Sequence, residues 1–286
     1  MVITFKFPKN TSVGGRRVEA AFHNQYRVVK KKEIGKEVNY EVDLIANNDP
    51  LRVCNEVIMR GYPKLSDAKG AAVFVQNFLI ASPYQGLHIL SLKGIVLLTH
   101  WLFFGKKISY LVFQSVSAKD RFLLSSVGKY FNRIFNFKSL IWSAFNPILL
   151  QNNDKKDIDL LIVTSDMPYK NNKACNEIID MVIRLKKDAS IYVTLDETNL
   201  DLSYNKNINC IGFIEEKTLI KMYGRTKLVF IPSKLESFSV PLHDCIHNKI
   251  PVMIYPEIQP DLASQHLLIT NDKKLQYSFI SKYLRG

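Results

Sequence analysis

Short apolar, β-branched runs alternate with stretches of helical spacing along nearly the whole chain, and this alternation limits the fold more than any other feature. Parallel strands need crossover connections, and helical crossovers cover both faces of the sheet, so the strands read as near-continuous apolar segments. The order begins with a strand over 2–7, a glycine loop over 8–15 and a helix over 16–29. A strand over 40–46 follows, then helical spacing over 51–59 up to a turn at Gly61-Tyr62-Pro63. A strand over 71–80, an apolar helix over 90–104 and a strand over 109–114 complete the first series. The pattern then restarts, with strands over 158–164, 190–195, 208–213, 227–232 and 251–255 and helices over 172–187, 216–223, 241–248 and 276–284. A polar stretch ending in Asn152-Asn153-Asp154-Lys155-Lys156-Asp157 separates the two series and marks a boundary. The expected architecture is α/β, with one parallel-sheet domain over 1–150 and another over 151–286.

Charge divides along the same line. The chain carries 39 Lys and Arg against 26 Asp and Glu, a net +13, and residues 1–150 hold 21 of the bases and 9 of the acids. The first half is therefore +12 and the second +1. A basic first domain is expected to face something anionic: nucleic acid, an anionic membrane surface or a phosphorylated substrate. No interleaving of basic and aromatic residues of the RNA-recognition kind and no helix-turn-helix pattern supports nucleic acid, which stays as an alternative reading. The four cysteines, Cys54, Cys175, Cys210 and Cys245, form no CxxC pair, which argues against a zinc site and against a dense disulfide framework. The longest apolar stretch, 94–104, is interrupted by Thr99 and His100 and is too short to span a bilayer. A cytoplasmic protein, at most peripheral on the inner membrane face, is the expectation.

The chemistry concentrates between Leu228 and Tyr255. An apolar strand ends at Pro232, a loop presents Glu236, Ser239 stands where an N-cap belongs, and Pro241 fits the first turn of a helix. A helix amino terminus just beyond the carboxyl end of a parallel strand is an anion site, because its unpaired N–H groups and its dipole both point at the ligand. Phosphate is the natural anion. His243 and His247 lie four apart, but no Glu stands between them as in a zincin helix, and core positions Leu242, Cys245 and Ile246 account for the helix without a metal.

Pro232-Ser233, Glu236-Ser237-Phe238, Pro241-Leu242, Asp244 and Ile250-Pro251-Val252 together resemble the signature of GT-B glycosyltransferases, in particular the retaining family-4 type that uses nucleotide-sugars. In that family two acids stand eight positions apart, as Glu236 and Asp244 do. Gly14-Gly15 matches the family's glycine loop, and Phe74-Val-Gln-Asn77 and Ser115-Val-Ser117 resemble strand ends of its first domain. Tyr169-Lys170-Asn171 resembles its diphosphate-binding lysine segment, and Cys210-Ile-Gly-Phe-Ile214 its segment beside the nucleotide base.

The resemblance implies two Rossmann-like domains facing a cleft, in a shortened form, with the acceptor on the first and a UDP- or GDP-linked donor on the second. It makes Glu236 the catalytic acid holding donor-sugar hydroxyls, Asp244 the ribose ligand and Lys170 the diphosphate cation. The backbone at Ser239 and Val240 would hold the same phosphates, Gly14 and Gly15 would allow close approach from the first domain, and Phe213 would lie at the base. It implies a metal-independent transferase needing no cofactor beyond its co-substrate, acting with retention on a glycan or lipid-linked saccharide in surface polysaccharide assembly. Two departures stand out: Asp244 replaces the usual Glu, and the family's arginine before the lysine is absent from Thr164-Ser165-Asp166-Met167-Pro168. They motivate the other alternative, a catalytically weak GT-B-like subunit that binds a partner.

Overall fold

A computed structural model of the chain describes residues 2–9, 13–43, 49–59, 63–75, 99–143, 147–150, 155–166, 170–196, 207–234, 236, 239–256 and 263–285, with backbone alone at 13–16 and 126–127. The chain divides into two compact units, Met1–Asn146 and Pro147–Gly286. Among the described residues each is built on one sheet, of seven and six strands, and the fold class is α/β.

The first unit contains β1 (Val2–Pro8), α1 (Val13–Gln25), β2 (Arg27–Ile34), β3 (Glu37–Asp43), β4 (Glu56–Ile58), β5 (Ala71–Phe74), β6 (Ile108–Phe113), α2 (Val116–Leu124), α3 (Ser126–Phe135) and β7 (Lys138–Ile141). The strand order is β2-β3-β1-β4-β5-β6-β7. From β1 through β7 the pairing is parallel, while β3 joins β1 antiparallel and β2 joins β3 antiparallel. This sheet is thus mixed, where an all-parallel one was expected. Phe5, Phe7, Phe22, Tyr26, Phe74 and Trp142 fill the core against α1, with Phe5 and Phe22 ring centroids 4.7 Å apart.

Two expected helices are corrected here. The helix expected over 16–29 begins at Val13 and stops at Gln25, and Arg27–Ile34 is a strand. Its periodicity is weak because nearly all of β2 is exposed; pairing with β3 through the turn at Gly35, held at φ 57°, makes it a strand. Helical spacing over 51–59 resolves into a 3₁₀ turn, Pro50–Val53, and the buried strand β4. Asp49 accepts the Leu51 N–H at 2.8 Å and caps that turn, after which pairing with β1 and β5 outweighs local spacing. Of the strand expected over 71–80 the first four residues are present, and residues 76–80 lie outside the described set, as do 90–98 of the apolar helix.

The unit also holds α2, α3 and β7, which the sequence reading passed over. Ser115 and Ser125 cap the two helices, their Oγ atoms accepting the Ala118 N–H and the Gly128 N–H at 3.0 Å each. At Gly128 an added Cβ would stand 1.8 Å from the Phe122 carbonyl oxygen, so α3 turns away from α2 through a space only glycine fills. Gly128→Ala is expected to cost about 2 kcal/mol through backbone displacement, seen as a lower melting temperature by circular dichroism. An unchanged melting temperature would refute this close approach.

The second unit contains β8 (Leu160–Ile162), α4 (Lys173–Leu185), β9 (Ile191–Val193), β10 (Ile208–Cys210), α5 (Glu216–Arg225), β11 (Val229–Ile231), α6 (Val240–His247), β12 (Val252–Ile254), β13 (Leu267–Ile269) and α7 (Lys273–Arg285). All its strand pairs are parallel, in the order β10-β9-β8-β11-β12-β13. Successive side chains of a strand point to opposite faces. Leu160 and Ile162 accordingly pack with Ile178, Val182, Ile280 and Leu284 of α4 and α7, while Leu161 packs with Tyr223 of α5 and Leu242 and Cys245 of α6. Burial on both faces is why these strands are apolar without alternation. The helix α7 packs Ile280 and Leu284 into this unit's core. Among the described residues no helix is long and apolar enough to cross a membrane.

Candidate functional site

In sequence order within the unit, β10-β9-β8-β11-β12-β13 is the 3-2-1-4-5-6 order of a doubly wound sheet. The connections run one way from β8 and the other way from β11, so the two loops leaving these neighbours diverge and open a crevice at the strands' carboxyl ends. Two of the expected site residues lie on those loops. Lys170 follows β8, Glu236 follows β11, and their side chains form an ion pair that is mostly buried.

A hydrogen-bonded frame holds the lysine loop. Thr194, just past β9, accepts the Thr164 N–H at 2.9 Å and donates to the Thr164 carbonyl at 2.8 Å, locking the ends of β8 and β9 together. The Thr164 hydroxyl donates to Asn172 Oδ1 at 2.8 Å, and Asn172 Nδ2 donates to the Ser165 carbonyl at 3.1 Å. Between Lys170 and Asn172 the chain reverses through Asn171 at φ 52°, a conformation asparagine tolerates better than most residues. None of Thr164, Asn172 and Thr194 was singled out from the sequence. The available signal was a threonine ending each of two apolar runs.

On the other side, Ser239 occupies the N-cap of α6 and Pro241 its first turn. The Ser239 hydroxyl makes no capping bond, and it and the Ser233 hydroxyl are buried with no hydrogen-bond partner among the described residues. Buried polar atoms without partners are rare enough to need a reason. Here both border the loop that carries Glu236, beside a helix amino terminus, and they are suited to an anion that supplies the missing partner. Val240 contributes the first helical residue. Ser233 is a further candidate, buried in the segment that carries the family resemblance but without a role implied by it.

Asp244 sits one turn further along α6 and is buried. Its Oδ1 accepts the Ile148 N–H at 3.3 Å; Asn248, four residues on, donates to the Ile148 carbonyl at 2.6 Å and accepts the Leu150 N–H at 2.9 Å. This flank of α6 therefore clips residues 148–150 to the helix. His243 is also buried, with Nδ1 2.9 Å from the Ser239 carbonyl oxygen. Among the described residues no three His, Cys, Asp or Glu side chains group as metal ligands.

Phe213 is 80% exposed, beyond the carboxyl end of β10, two strands from β8. Gly212 before it has φ 61°, and a Cβ there would lie 2.5 Å from Asp196 Oδ1, so the turn presenting Phe213 requires glycine. Gly14 and Gly15 belong to the first unit. They stand in the first turn of α1 rather than in a loop, which leaves their N–H groups among the unpaired donors of a helix start.

No protein-family model matches the chain, and no curated protein matches it. Solved structures do. TarM is similar with a TM-score of 0.55 at 9% identity, over 80% of this chain and 48% of that one. A mutant of S. aureus TarM in complex with fondaparinux, alpha-GlcNAc-glycerol and UDP gives a TM-score of 0.55 at 10% identity, over 81% and 49%. WaaG, a glycosyltransferase involved in lipopolysaccharide biosynthesis, gives 0.49 at 12% identity, over 81% and 69%. The chain thus spans about half the length of TarM, and its fold is the two-sheet α/β fold of the GT-B glycosyltransferases, in a shortened form.

Proposed function

We propose that the protein is a retaining glycosyltransferase that moves a hexosyl or related unit from a UDP- or GDP-linked donor to a glycan or lipid-linked acceptor. The observation that carries this reading is the Lys170–Glu236 pair at the divergence of β8 and β11, beside two buried unpartnered hydroxyls and a helix start. When the glycosidic bond of a nucleotide-sugar breaks, the leaving diphosphate gains negative charge. Donors and cations already fixed in place stabilise that charge without reorganising. Lys170, the Ser233 and Ser239 hydroxyls and the N–H groups at Ser239 and Val240 are such a set, and they supply the positive charge from the chain itself.

In this reading Lys170 exchanges Glu236 for the diphosphate when the donor binds. The freed Glu236 carboxylate then accepts hydrogen bonds from sugar hydroxyls, and Phe213 offers an exposed ring to the base. Asp244 takes the ribose, provided it releases the Ile148 N–H. The first unit receives the acceptor. UDP, which stands in the TarM complex, is the first nucleotide to test. Surface polysaccharide assembly at the cytoplasmic side of a membrane is the proposed setting.

The test is nucleotide binding by calorimetry. UDP or GDP should bind, and Lys170→Ala should weaken the diphosphate about tenfold to a hundredfold, as expected for losing one charged hydrogen-bond partner. UMP or GMP, lacking the second phosphate, should respond far less to the variant. Binding of neither diphosphate, or equal binding by wild type and Lys170→Ala, sinks the assignment.

A further inference from the structure

We propose that the edge of the first unit's sheet formed by the amino ends of β5, β6 and β7 docks on an anionic lipid bilayer. These three strands are parallel neighbours, so their starts lie side by side, about 5 Å apart. Cations lead into each of them. Lys69 precedes β5, Lys106 and Lys107 precede β6, Lys138 opens β7, and Arg133 stands in the last turn of α3 before it. Lys107 Nζ donates to the Leu65 carbonyl at 2.7 Å and the Gly70 N–H donates to the Lys107 carbonyl at 2.7 Å, which binds two of these loops into one surface.

The segment before β6 is seated on α3 and the start of β7. Trp101 packs on Phe131 and Phe137, and Gly105 lies against the Phe135 ring. Leu102 and Phe103 remain 48% and 75% exposed, and Leu65 is 71% exposed. Of the acids that reach the loop before β5, Asp67 and Glu56 are buried against Lys6, and Glu37 pairs with Lys64 at 2.7 Å. Residues 99–143 contain seven bases and a single acid, Asp120. Large exposed apolar side chains among cations that outnumber the acids match the boundary between headgroups and acyl chains, where cations meet lipid phosphates and the apolar groups insert. A nucleic acid would give Leu65 and Leu102 nothing to bury against.

The lysine run 30–32 is a different surface. Lys30 faces Glu41 at 3.5 Å and Lys31 faces Glu33 at 3.9 Å, so its charge is mixed. Docking through the amino-end edge leaves the loops at the carboxyl ends of the same strands open to solution. The inference rests on charge and exposure alone and stands apart from the donor reading.

Vesicle flotation of the full chain tests it, with phosphatidylcholine vesicles against vesicles containing one-third phosphatidylglycerol. Recovery is expected on the anionic vesicles and should fall steeply with salt. Lys106→Glu with Lys138→Glu should lower partitioning about tenfold or more. Phe103→Ser with Leu65→Ser should lower it several-fold with the salt dependence retained. Lys30→Glu with Lys32→Glu should stay within about twofold of wild type, and melting curves confirm that each variant folds. Equal recovery on both vesicles, none on either at low salt, loss in the 30/32 variant instead of the 106/138 variant, or tighter binding to an oligonucleotide than to the anionic vesicles overturns the proposal.

Discussion

Glu236→Ala is expected to lower sugar transfer at least a hundredfold while leaving nucleotide affinity intact. The two effects separate because Glu236 has two partners in succession. In the unliganded protein it neutralises Lys170, so removing it frees the lysine for the diphosphate, and UDP or GDP should bind at least as tightly as before. During transfer the carboxylate accepts hydrogen bonds that strengthen as the sugar becomes cationic, and their loss carries the penalty of removing one preorganised group from a water-poor site, about 3 to 4 kcal/mol. Transfer rate, nucleotide affinity and melting temperature measured on one preparation check the prediction. Full turnover in the variant, or a loss of turnover that tracks a loss of nucleotide affinity, removes Glu236 from its role.

The largest effect on stability is expected at Asp159. Its carboxylate, at the entry to β8, is almost fully buried and accepts from Lys186 Nζ at 2.8 Å, Lys227 Nζ at 3.0 Å and the Ser190 N–H at 2.9 Å. Burial alone would raise its pKa; the bonds from Lys186, Ser190 and Lys227 outweigh burial and hold it below the ordinary value. Breaking a buried pair costs about 3 to 5 kcal/mol, and because both lysines reach solvent the low end applies, so Asp159→Ala should cost about 3 kcal/mol by urea denaturation. With the folded pKa depressed, the contribution is complete above the unfolded value of about 3.9 and is lost as pH falls through the folded one. Wild type should therefore lose stability on acidification by more than Asp159→Asn does. Parallel pH curves for the two proteins would show that Asp159 is not the group responsible.

How much of this was legible in the sequence differs between the two units. In the second, Leu160–Ile162, Val229–Ile231 and Val252–Ile254 are buried on both faces, and such strands announce themselves as apolar runs whatever surrounds them. The helices between them were read at nearly their true positions. In the first unit the misread elements owe their conformation to partners: β2 to the hairpin with β3, β4 to neighbours on either side. The helices α2 and α3 carried readable caps at Ser115 and Ser125, but a serine is too common for a cap to be recognised without the helix behind it.

The site divided in the same way. Glu236 and Lys170 were legible by type and position, and their meeting depends on β8 lying next to β11, a pairing between residues nearly seventy apart in the chain. The clip that Asp244 and Asn248 place on residues 148–150 was invisible for the same reason, since its two halves lie 96 to 100 residues apart in the chain.

Among the described residues the seven-stranded sheet ends at β2, whose outer edge pairs with no further strand. An open border of this kind invites the same strand of a second molecule, and a flat apolar one would seed fibrils. Lys30, Lys31 and Lys32 lie along it, and charged side chains at an edge, lysine above all, make the addition of a further strand costly. The opposite border starts with Lys138, and the six-stranded sheet ends in β10 and β13, each three residues long and too short to template a partner. The lysine run is in this light a guard against edge-to-edge pairing of two copies.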